Sequence, residues 1–127
     1  DRCLFDSRAL FSAPPTDEAE RESQRRKPRS PYRMTATGSR PMVRFVGRND
    51  LATARLWIEE WATTVGGWIE QGLKPIVFAH SPDDAFAPEF ARLIDRSIRE
   101  RVPSLPELPL WPGEVERSSR KTQRSLF

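Results

Sequence analysis

The fold is decided by Met42-Val43-Arg44-Phe45-Val46-Gly47, the following stretch Leu51 to Gln71, and Pro75-Ile76-Val77-Phe78-Ala79-His80. The first and third are short apolar runs, each suited to a strand buried in a sheet. Between them Ala54, Trp57, Ile58, Trp61, Val65, Trp68 and Ile69 recur at steps of three and four, which lays one wide apolar stripe along a helix. Strand, helix, strand with short connections is a βαβ unit, and a helix of this length is what a right-handed crossover between parallel strands needs. Asn49 or Asp50 is placed to cap the helix, and Gly72 to close it. Three tryptophans at helical spacing serve to pack a helix on a sheet far more often than to line a ligand box. Gly66-Gly67 predicts either a bend or a close approach by another element.

Outward from this unit, Cys3-Leu4-Phe5 reads as a further short strand, and Pro88 opens a second helix whose inner face carries Phe90, Leu93, Ile94 and Ile98. Residues 14–40 form a long basic loop with no sustained period, in which Glu18 to Lys27 has room for a polar helical turn or two. Pro103, Pro106, Pro109 and Pro112 forbid further helix, so Leu105, Leu108, Leu110 and Trp111 are expected to strap across the outside, and 114–127 is a polar tail. The order β, long loop, β, α, β, α belongs to the α/β class. Three strands alone leave two bare edges, which suggests part of a larger sheet.

Composition narrows the function classes. The chain has 127 residues, enough for one domain with a modest core, and 21 basic against 18 acidic residues. Arg21, Arg25, Arg26, Lys27, Arg29 and Arg33 make one basic cluster and Arg117, Arg120, Lys121 and Arg124 another. Such runs suit polyanions, but interleaved Ser, Pro and Gln with few aromatics favour a solvated, flexible segment. The single cysteine, Cys3, excludes an internal disulfide and is expected as a small core residue in a reducing, cytoplasmic setting. No run is long and apolar enough to span a membrane, no signal peptide opens the chain, and a start at Asp1 reads as an artificial or partial terminus.

Several stretches carry a resemblance. Phe5-Asp6-Ser7-Arg8, Thr37 to Gly47, Trp68 to Lys74, Phe78 to Asp83 and the terminal Ser125-Leu126-Phe127 resemble, in order and spacing, the YecE-like family, also called domain of unknown function seventy-two. The resemblance covers most of 4–113 and diverges over 12–35. It implies a TIM-type (β/α) barrel of which residues 1–113 supply the last three parallel strands with two main helices. The remainder of the barrel, with the family's aromatic and lysine-containing motifs, would then be a missing N-terminal partner segment. The family has no settled reaction, so it names no enzyme activity.

Barrel ligands bind at the carboxyl ends of the strands. That rim would collect Asp6 and Arg8 from the first strand, Arg48 and Asn49 after the second, and His80 and Asp83 after the third. Arg44, if it points inward, needs a carboxylate or a bound anion; Asp6 is the nearest partner, and an Asp6–Arg44 or Asp6–Arg8 pair that merely fixes the barrel is the alternative. The expectation is a small anionic or sugar-like ligand held by Arg8, Arg44, Arg48, Asn49 and Asp83, with His80 and Asp6 as acid–base groups. Asp83 and Asp84 count against an anion, since they set negative charge beside it. One histidine, one cysteine and scattered aspartates give no metal-ligand spacing, and no cofactor motif is present. A nucleic-acid-binding module using the rim and basic loop, and a fragment without activity, are the alternative readings.

Overall fold

A computed structural model describes residues 2–125. Its strands are β1 (Cys3–Asp6), β2 (Met42–Val46) and β3 (Ile76–His80), all parallel and in the order β1-β2-β3. The helices are α1 (Glu18–Arg26), α2 (Arg55–Glu70), α3 (Ala87–Arg101) and α4 (Pro112–Ser125), with one-turn 3₁₀ segments at Leu51–Ala54 and Asp84–Phe86.

Side chains alternate across each strand. Leu4, Val43, Phe45, Val77 and Ala79 therefore turn to one face, where they meet Ile58, Trp61, Val65 and Trp68 of α2 and Phe90, Ile94 and Ile98 of α3. The Phe45 and Phe90 rings lie 5.2 Å apart, and Trp61 meets Trp68 edge-on at 6.2 Å. Burying each of these large side chains contributes about 1.5–3 kcal/mol. The apolar stripe read along α2 is the stripe that packs, with Trp57 and Ile69 at its half-buried margins.

The second face differs from expectation. A parallel strand apolar on both parities predicts cover on both sides, yet Arg44 is exposed, Ile76 is 42% exposed and Phe78 50% exposed. Cys3, expected in the core, shares this parity and is exposed too. On this face Val46, at the carboxyl end, is fully buried, and Phe5, Met42 and His80 are half-buried.

The loops hold more structure than their composition predicts. Within 14–40, Asp17 caps α1 by accepting from the Glu20 amide, and basic residues close its last turn. The 114–127 segment read as a polar tail continues α4 through Ser125; Pro112 begins it, where a missing amide proton costs nothing. Leu126 and Phe127, part of the terminal resemblance, lie outside the described residues. Residues 106–111 cross α3 without regular structure, and there Arg92 donates to the Leu108 and Pro109 carbonyls and pairs with Glu114.

The glycines divide by what surrounds them. Gly66 sits 3.4 Å from Arg101 Cβ, measured from where its own Cβ would lie, so the close approach by another element is realised there. A Cβ on Gly47 would stand 2.9 Å from two ring carbons of Phe90, whereas one on Gly67 meets nothing within 4 Å. Gly47→Ala is therefore expected to lower unfolding stability by about 1–3 kcal/mol. Gly67→Ala, mid-helix and unobstructed, should raise it by roughly 0.5–1 kcal/mol. Urea denaturation of the two variants checks both signs.

Candidate functional site

The residues expected at the rim fall into two groups on opposite faces. Asp6 has the parity of Leu4 and turns toward α2, fully buried. Its carboxylate accepts from the Trp61 indole at 2.7 Å, from the Arg8 guanidinium at 2.8 Å and from the Arg8 amide at 3.0 Å. Arg8 reaches on to Glu60 at 2.9 Å and lies under the Tyr32 ring at 3.4 Å. Of the two pairings considered for Asp6, the one with Arg8 forms. The one with Arg44 does not, because strand alternation sends those two side chains to opposite sides of the sheet.

Arg44 and His80 lie on the other face. In register, Arg44 sits between Phe5 and Phe78, and Val46 beside His80. The Arg44 guanidinium stands 5.9 Å from the Phe5 ring centroid, and among the described residues no carboxylate pairs with it. Lys27, the C-cap of α1, lies near enough to feel Arg44 and to act on His80. Its ammonium donates to Ser23 Oγ at 2.8 Å. Burial, Arg44 and Arg26 all push its pKa below the ordinary lysine value, with Asp84 opposing. His80 is likewise held below its ordinary value by burial, then by Lys27 and Arg44. Asp84, 3.7 Å from His80 Nδ1 and well exposed, works against that. Arg44 thus acts on Lys27, and both act on His80. Lys27 stood in a basic run that read as solvated surface, and nothing in that run set it apart from its neighbours.

Arg48 and Asn49 do different work. Arg48 is 4% exposed and pairs with Glu20, itself 1% exposed. Arg48 also donates to the Pro14 carbonyl at 2.7 Å. Glu20 further accepts from the Thr16 amide and hydroxyl and from the Asn49 amide. The Asn49 side chain donates to Asp17 at 2.8 Å and accepts from the Asp83 amide at 2.8 Å. The segment 14–27 is thereby fastened across the carboxyl ends of β2 and β3. Asp83 uses its own carboxylate to cap the 3₁₀ turn through the Ala85 amide. Among the described residues no cluster of three or more His, Cys, Asp or Glu could hold a metal ion.

The family model described as "Protein of unknown function DUF72" matches residues 1–112. The chain belongs to this family. It is 33% identical over 114 residues to the UPF0759 protein YecE of Escherichia coli K12, and 32% identical over the same length to that of Escherichia coli O157:H7. Each match covers 90% of this chain but 42% of the relative, so the chain spans less than half the length of the curated proteins it resembles. No solved structure matches. Among the described residues no helix is long and apolar enough to cross a membrane.

In this DUF72 chain, burial alone would raise the Glu20 pKa, but donors from Arg48, Thr16 and Asn49 outweigh it and bring it down to about 2. A carboxylate depressed on folding adds stability that is complete above its unfolded pKa of about 4.5 and lost as pH falls toward 2. The stability difference between wild type and Glu20→Gln is expected to stay constant above about pH 5 and to shrink steadily below it. Thermal denaturation across that pH range checks this.

Proposed function

We propose that this chain is the carboxyl-terminal part of a (β/α) barrel, and that its site takes a small anionic ligand, a phosphate ester or a carboxylate being the simplest class. The barrel is supported by three parallel strands with α2 and α3 on one face, by exposed Ile76 and Phe78 on the other, and by relatives more than twice as long as the matched segment. In a barrel the uncovered face would look inward, and Arg44 and His80 would stand at its carboxyl end, where barrel enzymes bind their ligands.

One observation carries the anion: Arg44 and His80 share one sheet face, Lys27 from a third segment lies close enough to act on His80 and to feel Arg44, and among the described residues no carboxylate pairs with Arg44. Arg44 lowers the pKa of both Lys27 and His80, and an anion relieves that repulsion by offering each group a charge-assisted hydrogen bond. His80 is neutral near pH 7 in the empty site and gains a proton as the anion enters, which makes it the acid–base group. Asp6, Arg8, Arg48 and Asn49 act as scaffold in this reading, since each is committed to protein partners. Nucleic-acid binding draws less support, because the outer arginine Arg25 of α1 pairs with Glu22 of the same helix.

Sulfate is the test ligand, because its charge is fixed across the pH range in which histidine titrates. Calorimetry should show sulfate binding that strengthens from about pH 8 to pH 5, because the bound anion raises the His80 pKa and draws in a proton. Arg44→Ala and Lys27→Ala should each weaken it about tenfold or more, and His80→Gln should flatten the pH dependence. Sulfate binding that is absent, or indifferent to Arg44→Ala, contradicts the proposal.

A further inference from the structure

The sequence offers no reason for Glu20 and Arg48 to be buried. Their ion pair lies at the surface end of a strand, 1% and 4% exposed, with every carboxylate and guanidinium contact made inside the protein. Buried ion pairs seldom stabilise more than apolar residues of the same size, because desolvation cancels most of the attraction. What such a pair does well is hold one arrangement, since neither charge can be left buried alone.

The arrangement held here is that of an arm. Between β1 and β2 the chain travels from Ser7 to Pro41, and α1 occupies the middle of that excursion. Within the arm, Gln24 of α1 donates to the Leu10 and Ala13 carbonyls, and Ser7 Oγ donates to the Pro28 carbonyl just past α1. Glu20–Arg48, with Asn49–Asp17 beside it, is the tie to β2. Seven residues after Glu20, at the C-cap of the same helix, stands Lys27. A shift of α1 by one helical turn, about 5.4 Å, would move the Lys27 ammonium relative to Arg44 and His80 and change the field it sets up at both.

We infer that Glu20 and Arg48 are the positioning pair of the anion site: they pin the arm across the carboxyl ends of the strands and so deliver Lys27 to the face that carries Arg44 and His80. This rests on the anion-site reading, but it makes a claim about the empty protein that can fail separately. Neither residue touches the ligand. Each acts through Lys27.

His80 reports the position of the arm, because it is the only histidine of the chain and its surroundings are known from each side. Lys27 faces it from the end of α1, Arg44 from β2 and Asp84 from the turn after β3. Its titration, followed by the imidazole proton resonances, needs no ligand. Lys27→Met should raise the His80 midpoint by removing a neighbouring positive charge. The double variant Glu20→Met with Arg48→Met, which leaves no unpaired buried charge, should fold and raise the midpoint in the same direction. The milder Glu20→Gln should also raise it. That direction is diagnostic, since losing a nearby negative charge by itself would lower a histidine pKa. The inference is overturned if either pair variant folds yet titrates as wild type while Lys27→Met shifts, because the arm then stays in place without the pair. It is equally overturned if Lys27→Met leaves the midpoint unchanged. Inorganic phosphate, added separately, tests the anion reading alone: if the variants show these His80 shifts while the wild-type protein binds no phosphate, the positioning pair stands and the ligand is lost.

Discussion

Everything in this structure follows from the twofold alternation of three parallel strands in register. Because Phe5, Arg44 and Phe78 are neighbours across the sheet, as are Val46 and His80, the parity of one residue fixes that of all. The parity that buries Val43 and Phe45 against α2 and α3 leaves Arg44 and His80 facing away from the helices. Core and candidate site are thus two sides of one choice. A slip of one residue in β2 would bury the Arg44 charge against Trp61 and Phe90 and expose Phe45. The core therefore enforces the site, and no residue of the site has to stabilise the fold.

The carboxyl ends of the strands show the reverse relation. There the chain spends polar groups on order rather than on burial. Asp6 is enclosed by Trp61 and Arg8, Glu20 by Arg48, Thr16 and Asn49, and Asn49 joins the loops after β1, β2 and β3 through Asp17 and Asp83. Among the described residues no buried side-chain nitrogen or oxygen lacks a partner. A fully satisfied network of this kind is rigid, while a partly satisfied one is costly. Such rigidity is what a site needs if charges of like sign, Lys27 and Arg44 above all, are to be kept close while empty.

The sequence made the βαβ unit legible because apolar period is a local signal. The stripe from Ala54 to Ile69 and the runs at Val43 and Val77 could be read without knowing what they touch. The face on which a strand residue lies is also local, but the cover on that face is not, which is why Cys3 was expected inside and is exposed. The 14–40 segment was legible only in part: the polar helical turn or two read at Glu18 to Lys27 is α1, but what holds it was not visible. Its helix has almost no apolar residues and is held by Asp17, Glu20 and Arg48, so its order depends on a partner 28 residues away rather than on period. α4 was obscured by the prolines before it, although Pro112 begins a helix more easily than it interrupts one. Of the site, Arg44 and His80 could be found from strand position alone. Lys27 could not, since nothing in a basic run tells which of its members a fold will bring to a strand end.

The account stands on an anion site on the sheet face opposite α2 and α3. A crystal structure grown with selenate, whose selenium marks its own position by anomalous scattering, tests this most directly. The account requires a selenium peak within hydrogen-bonding distance of the Lys27 ammonium and the Arg44 guanidinium. Selenate found only on outward arginines such as Arg21 or Arg25, with that position vacant, would contradict it.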